Sequence, residues 1–106
     1  MQVHNHFGLG FPEIIYHRSL IINLEEAGLQ YGSEVERSIY YKDRLVGKRR
    51  LDLIVEGRIL IELKAVTELD SSCYNKVLNY LKVYDIEVGL LLNFGTEKLQ
   101  YKRFVN

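Results

Sequence analysis

The stretch that most constrains this chain runs from Arg49 to Ala65. Two apolar, largely β-branched runs, Leu51-Asp52-Leu53-Ile54-Val55 and Ile59-Leu60-Ile61-Glu62-Leu63-Lys64-Ala65, flank a Glu56-Gly57 turn signal. That pattern predicts a β-hairpin. Three charges are set into it: Asp52, Glu62 and Lys64. Glu62 and Lys64 are two apart, so on a strand they share a face. Asp52 joins them only in some registers. A two-residue loop at Glu56-Gly57 pairs Asp52 with Ile61 and sends it to the other face. A three-residue loop, Val55-Glu56-Gly57, pairs Asp52 with Leu60 and gathers the three charges on one side. The opposite face is then Leu51, Leu53 and Val55 against Ile59, Ile61, Leu63 and Ala65. The second register is preferred because it separates charge from core. Charges in strands apolar on both sides are costly unless paired or metal-bound, so a Glu62-Lys64 ion pair on an exposed face competes with a metal site.

With 106 residues, 47% of them apolar, and a single proline, the chain is expected to form one domain, residues 1–106, with a mixed α/β core. Fourteen basic and fourteen acidic residues cancel, which denies it a global field for attracting polyanions. Any such attraction must be local, and Lys42, Arg44, Lys48, Arg49 and Arg50 form one cluster. It reads equally as a nucleic-acid contact, with Lys48, Arg49 and Arg50 foremost, or as a solvated loop. Cys73 is the one cysteine, so no disulfide framework or cysteine zinc site is expected. No apolar run is long enough for a membrane span and no secretory signal is visible, so the expected location is cytoplasmic.

Pro12 and Gly28 bracket a helix. Glu13, Tyr16, Leu20, Leu24 and Ala27 fall on one side of it. Glu13 heads that stripe, where it either favours the helix N-terminus or faces a site. Residues 34–42 alternate as a strand, followed by a loop over Asp43 to Lys48. After the hairpin, Asp70 or Ser71 caps a second helix running to about Tyr84, with Tyr74, Val77, Leu78 and Leu81 as its core face. Val88 to Leu92 is apolar throughout, as in a central parallel strand, and a last strand covers about Leu99 to Val105. The expected order is α-β-β-β-α-β-β, a mixed β-sheet with flanking helices.

Asp52 followed, after nine residues, by Glu62-Leu63-Lys64 resembles the PD-(D/E)xK nuclease superfamily, with Leu51 in place of the named proline. The resemblance sharpens along the chain. Val3-His4-x-x-Phe7-Gly8-x-Gly10-x-x-Glu13-x-x-Tyr16 looks like the signature of the GxxExxY family, a small bacterial and archaeal branch of that superfamily. Tyr40-Tyr41-Lys42, Asp52-Leu53-x-Val55-x-Gly57, Ile61 to Val66, Tyr80-Leu81 and Val88 to Gly95 are similar to its other blocks, in order. The resemblance implies a restriction-endonuclease-like fold. It also implies an N-terminal helix that is truncated here. Where the family carries Gln-x-x-x-Tyr on its second helix, this chain has Lys76-x-x-x-Tyr80, two residues on one helix face.

From the same resemblance, Asp52, Glu62 and the Leu63 carbonyl would hold Mg²⁺ or Mn²⁺, with Glu13 completing the shell. Lys64 would serve the attacking water, and Asp52, Glu62, Lys64 and Glu13 form the expected catalytic set. Tyr16, Lys76, Tyr80 and His4 would support it, while His6 and His17 read as ordinary histidines. The implied activity is hydrolysis of phosphodiester bonds in DNA or RNA. The alternative is a catalytically degenerate module binding nucleic acid or a protein partner, and a homodimer is left open. Lys76 is expected to pair with Glu62 or Asp52 when no metal is bound.

Overall fold

A computed structural model describes residues 2–106. The element order is α1 (Gln2–Phe7), α2 (Glu13–Glu26), β1 (Tyr31–Tyr41), β2 (Arg44–Val55), β3 (Ile59–Lys64), α3 (Ser71–Tyr84), β4 (Val88–Asn93) and β5 (Gln100–Val105). The strands form one sheet in the order β1-β2-β3-β4-β5. All neighbours are antiparallel except β3 and β4, which are parallel and joined through α3. This is the expected mixed sheet with one addition, the short helix α1. Six residues containing two histidines give no helical stripe to read.

Helices cover both faces. Tyr16, Leu20 and Leu24 of α2 pack on Leu53, Val55, Ile61 and Leu63, while Val77, Tyr80, Leu81 and Tyr84 of α3 pack on Leu51, Leu60 and Leu91. Asp70 caps α3 by accepting a hydrogen bond from the Cys73 amide at 3.1 Å. The core face of α3 departs from expectation at Leu78, which is solvent-exposed. Tyr80 and Tyr84, one turn apart, are buried instead, because the contact stripe is set by the sheet beneath β1 and β2 as well as by β4. No helix among the described residues is long and apolar enough to cross a membrane.

The β2–β3 hairpin departs from the expected pairing. Leu53 pairs with Ile61, Ile54 with Leu60 and Val55 with Ile59. The expected register would have set Leu53 opposite Ile59, and the ladder ends before Asp52 is reached. Glu56 and Gly57 both adopt positive φ, 54° and 64°, and the Arg58 amide closes the turn on the Val55 carbonyl at 3.0 Å. Arg58 is then the extra residue that keeps the sum of paired positions even.

The loop expected over Asp43 to Lys48 is strand. Lys42 and Asp43 take left-handed φ, 50° and 61°, and close a two-residue turn between Tyr41 and Arg44. With non-glycine residues at both positions, composition carried no turn signal there. β1 and β2 therefore extend as a long two-stranded arm, bulged between Ile39 and Tyr40. Tyr84 ties its base to α3: the phenol hydroxyl lies against the carbonyls of Val35 and Arg49, and the Arg37 guanidinium sits 5.1 Å from the ring centre.

Candidate active site

The site begins where β2 leaves β3. Beyond Leu53 the β2–β3 ladder stops, and the Asp52 carboxylate takes over, accepting a hydrogen bond from the Leu63 amide at 2.8 Å. β1 kinks at the same level, since Glu34, which the register sets opposite Asp52, has φ 52°. The kink turns the sheet over. Leu53 joins the α2 side of the core and Leu51 the α3 side, so the unbroken apolar face expected from Leu51 to Val55 is divided at Asp52.

On β3, Lys64 offers its carbonyl to the amide of Phe94, just past β4, at 2.8 Å, and Leu63 turns its amide the other way, to Asp52. A strand residue's N–H and C=O point to the same side. The Leu63 carbonyl therefore also points into the fork between β2 and β3. The end of β3 is held by Asn93, which is fully buried. Its Oδ1 accepts from the amides of Val66 and Gly95 at 3.0 and 3.1 Å, and its Nδ2 donates to the Val66 carbonyl and Gln100 at 2.9 and 3.0 Å. Gly95 is required there, as a Cβ would collide with the Val66 backbone. Sequence reading passed over Asn93; an amide ending an apolar strand was its one signal.

Glu62 is 2% exposed, and its Oε1 has no hydrogen-bond partner. Burial, followed by the neighbouring Asp52 carboxyl, pushes its pKa up to about 9, against a smaller opposing pull from Lys76. Lys76 is not its ion-pair partner. Among the described residues the only ion pairs are Lys48 with Glu36 and Arg50 with Glu34, both exposed, and the Lys76 ammonium lies 5.5 Å from the Tyr80 ring centre instead. Burial alone would lower the Lys76 pKa, but attraction to Glu62, Tyr80 and Asp52 outweighs it and the pKa is raised. The expected direct pairing of Lys76 with an acid is thus replaced by an interaction through space.

The glycine-rich stretch before α2 explains itself locally. Gly10 has φ 102°, a conformation that side chains rarely adopt. Tyr16 returns its hydroxyl to this turn, donating to the Gly8 carbonyl at 2.7 Å and accepting from the Phe11 amide at 3.3 Å, with its ring stacked on Phe94 at 4.5 Å. This clasp sets where α2 starts, and Glu13 is its first residue. Glu13 is exposed, yet burial of its carboxyl and the charge of Asp52 raise its pKa while Lys64, Lys76 and His17 pull it down. It stands within electrostatic range of the acids without closing on them. No three of the His, Cys, Asp and Glu side chains among the described residues converge on one point, so the structure does not join Glu13 to Asp52 and Glu62 as a cluster. His4 is buried, its Nε2 donating to the Thr96 carbonyl at 2.8 Å, which ties α1 to the turn after β4. His17 meets Ser33 Oγ at 3.0 Å, and His6 is exposed.

The oxygens at the fork fit a hard divalent cation. Two adjacent carboxyls and one main-chain carbonyl are the donor types that Mg²⁺ and Mn²⁺ prefer, and the orphaned Glu62 Oε1 is the kind of buried acceptor an ion would satisfy.

The fold is shared with a solved structure. The crystal structure of SSO0001 superimposes with a TM-score of 0.64 at 23% identity, over 87% of this chain and 48% of that one. The chain thus spans about half the length of that protein. No curated protein matches in sequence. The family model of the PD-(D/E)XK nuclease superfamily matches residues 1–104, and the chain belongs to that superfamily.

Proposed function

We propose that this protein is a divalent-metal-dependent phosphodiesterase acting on nucleic acid. The observation that carries the reading is the unpartnered, buried Glu62 Oε1 beside Asp52, at a fork into which the Leu63 carbonyl also points. A buried acid with an unsatisfied oxygen is a standing cost to the fold, and a bound metal ion would offset it.

Asp52, Glu62 and the Leu63 carbonyl would hold Mg²⁺ or Mn²⁺, with Glu13 reaching the ion through water. When bound, such an ion polarises a phosphoryl oxygen and acidifies a coordinated water. Glu62 must give up its proton to serve as a ligand. Lys64, half-buried and two residues along β3 from Glu62, would bring its ammonium to the same side. There it orients the attacking water or stabilises the charge that builds on the phosphoryl oxygens. The water oxygen bonds to phosphorus, one ester P–O bond breaks, and the leaving oxygen takes up a proton. Tyr16 and His4 act at a distance by fixing the turn before α2 and its seat on the sheet.

The test pairs binding with cleavage. Mn²⁺ should raise the melting temperature of the wild type and not of Asp52→Asn, and the wild type alone should cut a labelled oligonucleotide. A degenerate binding module is the second reading, favoured by Lys76 in place of a neutral amide. An oligonucleotide bound without any Mn²⁺ shift or cleavage would establish that reading in place of the first.

A further inference from the structure

The separation of β2 from β3 leaves one edge of β2 unpaired from Arg44 to Asp52. Facing that edge across a groove of about 560 Å³ is α3. Lys48, Arg49 and Arg50 line one wall, and Ser72, Asn75, Lys76, Asn79 and Tyr80 line the other. No carboxylate lines it, although Lys48 and Arg50 are paired with Glu36 and Glu34 of β1 at 3.6 and 3.5 Å. In a chain whose charges cancel overall, this is a local cationic channel with amide and hydroxyl donors between its cations. Its β2 wall leads toward the acids, since Asp52 lies two residues beyond Arg50 on that strand.

The channel has a continuation. Asp52 lies eight residue steps along β2 from Arg44, roughly 27 Å of strand at about 3.4 Å per residue. At the far end Tyr40 and Tyr41 are each 64% exposed, with the Lys42 ammonium 5.4 Å from the Tyr41 ring centre. Exposed aromatic faces beside cations are what unpaired bases stack on, while a basic groove tracks the backbone. The groove's volume is that of an ordinary small-ligand site, room for a short stretch of one strand.

We infer that the β2–α3 groove and the tip of the β1–β2 arm together bind single-stranded nucleic acid, with phosphates along Lys48, Arg49, Arg50 and Lys76 and bases on Tyr40 and Tyr41. This deepens the reading of the fork as a phosphodiesterase site and rests on it for the direction of the strand toward Asp52 and Glu62. Phosphates and base faces are common to DNA and RNA, so both should bind.

The experiment is fluorescence anisotropy with a labelled 12-nucleotide single strand, as DNA and as RNA, and with the matching duplex. It is run in chelator so that binding is read without cleavage. The single strand should bind at least tenfold tighter than the duplex. Lys48→Ala/Arg49→Ala/Arg50→Ala should lose at least tenfold in affinity and flatten the salt dependence by about 2 in log–log slope, at ~0.7 per cation removed. Tyr40→Ala/Tyr41→Ala should weaken the single strand about tenfold with the salt slope unchanged. Asn75→Glu/Asn79→Glu, exposed on the opposite wall, should weaken binding comparably, which removes dependence on the folding of the arm. Equal affinity for duplex and single strand, or wild-type affinity in the groove variants, overturns the inference. A change of oligomeric state in the tyrosine variant, seen by sedimentation without loss of affinity, would reassign the tip to a second copy of the chain. Binding that behaves as stated, with no cleavage when Mn²⁺ is restored, would leave the inference standing and remove the catalytic reading.

Discussion

The Asp52 carboxylate bonds to the Leu63 amide at 2.8 Å, across the point where β2 and β3 separate. One side chain thus stands in for the missing rung of a ladder and presents an acid to the fork. Asparagine can make the same bond without the charge. Asp52→Asn is expected to unfold within about 1 kcal/mol of the wild type and lose Mn²⁺ binding. Asp52→Ala leaves the Leu63 amide unsatisfied and should cost about 1–3 kcal/mol. Urea unfolding in chelator, followed by Mn²⁺ titration, separates the two effects.

Glu62 gives a pH signature. Its pKa rises from 4.5 to about 9 on folding without metal, so between those values the native state holds a proton that the unfolded state has released. The unfolded state then binds fewer protons, and stability falls as pH rises through this window. Glu62→Gln removes the dependence. In chelator its melting temperature should match the wild type near pH 4.5 and exceed it by several degrees at pH 8. Because the wild-type proton must leave for a metal to bind, Mn²⁺ affinity should climb about tenfold per pH unit between 6 and 8, as isothermal titration would show.

Lys76 belongs to both the acid pair and the groove. Removing its charge takes a cation away from a metal site and away from a phosphate track. Lys76→Gln should therefore tighten Mn²⁺ several-fold while raising KM for an oligonucleotide by a similar factor. Lys64→Ala should abolish cleavage and leave most of the metal binding. Calorimetry and steady-state cleavage on the two variants check both statements. A wild-type KM in Lys76→Gln would mean that the phosphates run elsewhere.

Tyr84 fastens the arm. Its hydroxyl is the only side-chain group on α3 that bonds to the backbone of β1 and β2 among the described residues. Tyr84→Phe keeps the packing and removes that bond. It should cost about 1 kcal/mol and raise amide hydrogen exchange in residues 35–49 more than in β3 or β4.

The hairpin itself was legible from its two apolar runs and the Glu56-Gly57 turn between them. Its register was not, because Arg58 enters the turn and sets Leu53 opposite Ile61, and the ladder ends before Asp52. The arm was hidden for a different reason. Its turn uses left-handed Lys42 and Asp43 where a reader looks for glycine, and Arg44 to Lys48 carry no alternation because neither face of the arm is buried. Helix α3 and its Asp70 cap were legible from local chemistry alone. The opening of a groove beside α3 was not, since it depends on where one strand stops pairing with another.

The two acids at the fork stand in opposite relation to the fold. Asp52 repairs a break in the sheet, whereas Glu62 buries an acceptor that nothing in the protein satisfies. A descendant released from selection for chemistry would gain stability by discarding Glu62 and would lose it by discarding Asp52. Decay of the activity should therefore be asymmetric: silenced copies would keep aspartate or asparagine at position 52 and drift to glutamine or an apolar residue at position 62. Position 62 is then the one at which sequence drift reports loss of chemistry rather than loss of structure.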